Sequence, residues 1–294
     1  MARIAIVGVG AIGSVVAALL QQTGRHEVVL CVRRPLAELI VETPDGPVEV
    51  RATVVLNPAD APAVDWVVVA TKTYNADSAG RWLKTLCAQG APVAVLQNGV
   101  EHRERFAPYV PMELILPVIV DCPVERPSAN RVRQRGVMYL KCSESELGRG
   151  FVELFAGTPA DAGTVSDFAT VAWRKLCHNA AGVLPALLLQ PSGVFRGQAV
   201  GETALQIVRE CVEVGRAEGA KLDDDIAEAV LRAYRAAPAD GVNSLHADRL
   251  AGRPMEIDAR NGVIVRLGKR HGIATPCNQM AIALLETMTA GNGA

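Results

Sequence analysis

Hydrophobic and polar positions follow two regimes along this chain. In the first half, short β-branched runs recur between stretches of helical spacing: "RIAIVG" at 3–8, "EVVLCV" at 27–32, "VEVRATVVL" at 48–56, "DWVVVAT" at 65–71, "PVAVLQ" at 92–97 and "LILPVIV" at 114–120. Strands alternating with helices predict a mainly parallel sheet with helices on both faces. "RVRQRGVMYLKCS" at 131–143 reads as a hairpin. Beyond about residue 164 the period turns helical, over 165–189, 199–219, 223–236, 242–251 and 255–271. A last helix opens near Pro276, and Gly272 stops the one before it. The pattern therefore predicts an α/β chain of two domains, 1–163 binding a nucleotide and 164–294 all-helical, with a ligand expected in the cleft between them.

Composition narrows the partners. The 294 residues are 50% hydrophobic and carry a net charge of −1, which favours neither nucleic acid nor an anionic membrane surface. Aromatic residues, at 4%, are too few for base-stacking platforms. The seven cysteines are widely spaced and form no CxxC pair, which reads as reduced thiols in a cytoplasmic protein rather than a disulfide frame or a metal site. No uninterrupted apolar run is long enough to suggest a membrane span, and the glycine-rich start is unlike a signal peptide.

The candidate chemistry begins at "IAIVGVGAIGSVVAALL", where Gly8, Gly10 and Gly13 form GxGxxG between a hydrophobic strand and a helix. That context fits a dinucleotide loop, with Ala11 and Ile12 between the last two glycines. One glycine permits the turn, the next lets a pyrophosphate approach the backbone, and the third lets helix pack on strand. About 20 residues further on, a carboxylate would accept from the ribose 2′-hydroxyl of NAD. Arg33 and Arg34 stand there instead, with no acid before Glu38, and a guanidinium suits the 2′-phosphate of NADP. Lys72 and Asn98 follow two later strands, where open α/β sheets bind ligands. Lys72 could meet cofactor phosphate or be a surface lysine; Asn98 could orient nicotinamide or substrate, or simply make its Asn-Gly turn.

In the helical half, Lys175 introduces a segment from Leu176 to Phe195 with no fully charged residue, where His178 alone could acquire a positive charge, and Asn179 lies one turn on. Burial would lower the pKa of such an amine and suit it to donate a proton; the alternative is a lysine that reaches solvent beside Arg174. Ser244, Asp248, Glu256, Asp258 and Asn261 cluster within 18 residues, Asp258 reading as helix surface. The apolar helices at 176–195 would serve a homodimer interface as readily as a core.

Taken together, "GVGAIG", "RR" after the second strand, "TKT" at 71–73, "QNG" at 97–99, "WRKLCHN" at 173–179, "NSLHAD" at 243–248 and "MEIDARNG" at 255–262 give a chain that resembles the ketopantoate reductases (2-dehydropantoate 2-reductases) of pantothenate biosynthesis. The resemblance implies an N-terminal Rossmann domain, a 6-phosphogluconate-dehydrogenase-like helical domain, and NADPH-dependent reduction of a small-molecule 2-oxo acid. It also implies roles. Lys175 is the general acid, Glu256 holds substrate or tunes the lysine, and Ser244 binds the substrate carboxylate. Asn98 and Asn179 line the site, and Arg33 with Lys72 contacts NADP.

The chain also departs from the family pattern. Val183 and Ser192 replace asparagines, Met255 replaces a threonine, and the strand at 116–120 is unusually apolar. These changes remove hydrogen-bonding groups and raise a related, more apolar 2-oxo acid as substrate. Two rivals are a β-hydroxyacid dehydrogenase, which shares the KxxxN spacing of Lys175 and Asn179, and a non-catalytic NADP-binding sensor.

Overall fold

A computed structural model describes residues 1–36 and 38–290. They divide into two compact units, Met1–Phe168 and Ala169–Ala294. The strands are β1 (Ala2–Val7), β2 (His26–Cys31), β3 (Ile40–Thr43), β4 (Gly46–Glu49), β5 (Thr53–Val55), β6 (Trp66–Val69), β7 (Val93–Val95), β8 (Ile115–Asp121), β9 (Val124–Ser128), β10 (Arg131–Gln134), β11 (Tyr139–Ser143) and β12 (Asp161–Val165). The helices of the first unit are α1 (Ala11–Gln22), α2 (Ala76–Leu86), α3 (His102–Phe106) and α4 (Glu146–Leu154).

An eight-stranded sheet in the order β12-β11-β8-β7-β6-β1-β2-β5 forms the frame of the first unit. All its neighbours run parallel except β8 and β11. Period-two alternation sends Ile4 and Ile6 to one face, where α1 buries Val15, Val16, Leu19 and Leu20 against them. Ala5 and Val7 face the other side, toward Trp82, Leu83 and Leu86 of α2.

Three expectations need correction. The run 48–56 is split between β4 and β5. The stretch 131–143 is no hairpin: β10 joins a second sheet, β4-β3-β10-β9, while β11 pairs with β8 and β12. Charge explains the divergence, because Arg131 and Arg133 on β10 both meet Glu42 of β3. β11 instead buries Leu140 and Cys142 in the main core. Finally, residues 164 and 165 belong to β12, so a cut after Gly163 would divide a paired strand.

The second unit is helical: α5 (Phe168–Ala181), α6 (Val183–Leu188), α7 (Gln198–Ala217), α8 (Ile226–Ala236), α9 (Ser244–Leu250), a π-helical turn at Asp258–Gly262, α10 (Val263–His271) and α11 (Pro276–Ala290). The helical pattern at 165–189 is interrupted, since α5 stops at Ala181 and Leu189 ends α6 in the left-handed region at φ 51°. Most of the apolar run beyond Lys175 is core. Leu176, Cys177, Ala180, Ala181, Val183 and Ala186 are buried, whereas Leu188 and Leu189 are exposed. No described helix is long and apolar enough to cross a membrane.

Candidate active site

Parallel register aligns the strand ends of the first unit. Val7 pairs with both Cys31 and Val69, and Val69 with Val95, so four strands finish at one level of the sheet. Gly8, Arg33, Lys72 and Asn98 all leave the sheet just past that level, on either side of β1, where the strand order reverses.

The glycine loop is shaped by steric necessity. Gly8 has φ +101°, and a β-carbon there would lie 2.6 Å from the Thr71 amide nitrogen. A β-carbon on Gly13 would lie 2.1 Å from the Gly8 carbonyl oxygen. At Gly10 it would meet no atom within 4 Å, so the space over the loop is open. Gly10 also precedes α1 without a side-chain cap, and no acid occupies the first turn. The N–H groups of Ala11, Ile12 and Gly13 thus present the positive end of a helix toward open space. A dinucleotide pyrophosphate fits these features.

Arg33 and Arg34 are exposed, while Lys72 and Asn98 are half-buried. Gln97 connects the last two. Its side-chain amide donates to Thr71 Oγ1 at 3.0 Å and to the Lys72 carbonyl at 3.4 Å, and its Oε1 accepts from Arg105 at 3.2 Å. The buried His102 ring contacts the Gln97 carbonyl at 2.8 Å. Sequence reasoning quoted Gln97 within "QNG" but gave it no role, and it passed over His102. The only hint was their closeness to the Asn-Gly turn, where Gly99 takes φ +97°.

In the second unit, Lys175 and Asn179 are half-buried and one turn apart on α5. Arg174 is instead exposed and pairs with Asp223 at 2.7 Å. α5 therefore has a solvent side as well as the buried stripe of Trp173, Leu176, Cys177 and Ala180, and is not buried all round. Hydrogen bonds join the end of α5 to the segments carrying the other candidates. Tyr234 of α8 donates to the His178 carbonyl at 2.9 Å, and Asn261 donates to the Ala180 carbonyl at 3.1 Å. Asn243 donates to the Gly182 carbonyl at 3.0 Å while capping α9 through the His246 amide. Ser244 follows it and is exposed.

Glu256 is buried, just ahead of the π-helical turn. Asp258 is largely exposed and pairs with Arg266 at 2.6 Å. Asp248 is buried and accepts from Arg253 at 2.9 Å. Arg260, absent from the sequence-based candidates, is 2% exposed. Burial lowers its pKa, opposed by Tyr234, Glu256 and Asp248. Burial likewise pushes the Tyr234 hydroxyl to about 12. The spacing of Glu256 and Arg260, acid to base at i and i+4, was a readable signal.

A glycine loop at the head of a parallel sheet, followed by a separate helical unit, defines a dinucleotide-binding enzyme of the two-domain oxidoreductase class. The family description "Ketopantoate reductase PanE/ApbA" matches residues 4–146, and its C-terminal counterpart matches 167–289. The chain belongs to the ketopantoate reductase family. It is 47% identical to a 2-dehydropantoate 2-reductase of Caulobacter vibrioides, over 97% of this chain and 98% of that one. It is 41% identical to one from Mycobacterium tuberculosis, covering 99% of both. The crystal structure of a Geobacter metallireducens 2-dehydropantoate 2-reductase superimposes with a TM-score of 0.90 at 26% identity, covering 97% of this chain and 99% of that one.

Proposed function

We propose that this chain reduces ketopantoate to pantoate with NADPH. The observation that carries the reading is the match of both family descriptions, one across most of each unit. When bound, NADPH supplies the hydride for the 2-carbon. Lys175 holds the proton that the keto oxygen takes up, and its positive charge opposes the negative charge developing there. Glu256 orients substrate and lysine, Ser244 donates to the substrate carboxylate, and Asn98 and Asn179 fix the reacting ends. Gly8, Gly10, Ala11, Ile12 and Gly13 cradle the pyrophosphate, with Lys72 near cofactor phosphate. Arg33 pairs with the 2′-phosphate and Arg34 supports it, because two cations and no carboxylate follow β2.

Packing weakens the case for a more apolar substrate. Val183 is wholly buried, and Leu116, Val118 and Val120 of β8 lie in the main core, so their apolarity has a structural cause. Steady-state rates with a panel of 2-oxo acids, under NADPH and NADH, test the proposal. Highest kcat/KM with ketopantoate and NADPH is expected; preference for an apolar oxo acid, or for NADH, would overturn the corresponding part. The reading places the enzyme in the cytoplasm, in keeping with seven free thiols. It takes a homodimer as the assembly, to be checked by light scattering; the exposed Leu188, Leu189, Met280 and Leu284 are apolar positions that a second copy could cover.

A further inference from the structure

Asn243 has no part in the reading above, although it directly precedes Ser244, which does. Its half-buried side chain makes two bonds in different directions. Oδ1 accepts from the His246 amide at 3.0 Å and so caps α9, of which Ser244 is the first residue. Nδ2 donates to the Gly182 carbonyl at 3.0 Å, across 61 positions of the chain. The cap needs only an oxygen, which serine, threonine or aspartate would supply as well. Asparagine alone among these residues accepts with one terminal atom while donating with another. Here the donor is directed at the turn between α5 and α6.

That turn is held closely. The Gly182 amide donates to the Asn179 carbonyl at 3.1 Å. A β-carbon built on Gly182 would be 3.1 Å from the Tyr234 hydroxyl and 3.2 Å from Arg260 Nη2, so α8 and the π-helical turn both pack against it. An unbroken series of bonds therefore runs from the Asn179 carbonyl through Gly182 to the Asn243 amide, and by the peptide bond to Ser244. Leu245 and His246 are buried and seat the start of α9, while Ser244 is exposed. The other end of α9 is held separately, by Arg249 donating to the Leu187 carbonyl at 2.8 Å. We propose that Asn243 is a positioning residue for substrate binding: its amide fixes Ser244 relative to the part of α5 that carries Lys175 and Asn179, so that one 2-oxo acid meets all three. The proposal rests on the reading that Ser244 donates to the substrate carboxylate.

Asn243→Asp tests it in the full chain, with ketopantoate and NADPH. The carboxylate keeps an oxygen for the His246 amide but turns an acceptor toward the Gly182 carbonyl, so the cap survives and the tether is lost. The KM for ketopantoate should rise about tenfold, within the range of coupling between neighbouring residues. kcat should stay within about threefold, because a carboxylate contact serves ground state and transition state alike. NADPH affinity should stay within about twofold, since both bonds of Asn243 lie inside the second unit. In a Ser244→Ala background the same substitution should change KM by less than about threefold, because the group being positioned is gone. Arg249→Met, which frees the other end of α9, should lower the melting temperature and leave KM within about twofold. An unchanged KM in Asn243→Asp, equal KM effects in both backgrounds, or a rise of about tenfold in Arg249→Met would overturn the proposal. Wild-type KM in Ser244→Ala would defeat the role given to Ser244, and the proposal with it. A raised KM there, beside an unchanged KM in Asn243→Asp, overturns the proposal alone. Should Asn243→Asp fail to accumulate, Asn243→Ser, another capping residue without the amide, carries the same expectations, and failure of both counts against the proposal.

Discussion

Lys175 and Arg174 are sequence neighbours with different surroundings. Arg174 reaches outward to Asp223 at 2.7 Å, while Lys175 is half-buried one turn before Asn179. A proton donor is worth about 10²–10⁴ in rate, so Lys175→Ala should lower kcat by that much and leave NADPH affinity unchanged by fluorescence titration. Turnover near wild type would remove the lysine from the chemistry. Arg33 and Arg34 permit a similar separation. A charge-assisted bond to a phosphate contributes about 1.5–3 kcal/mol, so Arg33→Ser with Arg34→Ser should raise the KM for NADPH by roughly 10–100-fold. The KM for NADH should barely move. Lys175 could be singled out as a candidate because a cation opening an apolar run is conspicuous in one dimension. Arg260 could be read as a base four residues after Glu256, but its burial could not, because that depends on residues distant in sequence, Tyr234 and Gly182 among them.

The β1–α1 loop separates two kinds of glycine requirement. Gly13 is needed by the protein itself, because a β-carbon there would meet the Gly8 carbonyl oxygen at 2.1 Å. Gly13→Ala should cost about 1–3 kcal/mol through overpacking, seen as a lower urea midpoint, and should weaken NADPH binding as the loop shifts. At Gly10 a β-carbon meets no protein atom within 4 Å. Gly10→Ala should therefore keep the midpoint and still weaken NADPH binding, since the methyl would occupy space meant for the pyrophosphate. Equal midpoint losses in the two variants would contradict that division. This loop was readable in advance because its requirements are local: strand, glycines and helix are contiguous. The β10 and β11 strands were not, because what distinguishes them is Glu42 on one side and β8 on the other. The end of α5 was also missed. Its helical pattern runs on through Val183 and Leu184, and only Gly182 and the tertiary bonds around it mark the break.

Among the described residues, the displaced histidine and glutamate equilibria share one sign. Burial lowers the pKa of His246 and of His26 from the ordinary 6.5. Hydrogen bonds from Arg133 lower Glu42, and those from Arg209 lower Glu228. For Glu218 burial pulls upward, but His271 and Arg270 outweigh it. In every case the unfolded chain binds protons more readily than the folded one, so stability is present at neutral pH and declines with acid. The histidines act first, from about pH 6.5 downward, and the glutamates follow only below about pH 4.5, near their unfolded values. Melting temperature should therefore fall already between about pH 7.5 and 5.5, before these three glutamates take up protons. His246 makes the assignment testable, because both its ring nitrogens are buried without a hydrogen-bond partner. An apolar residue in its place loses no hydrogen bond and has no proton to take up. His246→Leu should consequently melt near wild type at neutral pH and above it at about pH 5.5, with a shallower dependence between. A slope equal to wild type would show that the acid sensitivity in this window originates elsewhere, with His26 the next group to replace.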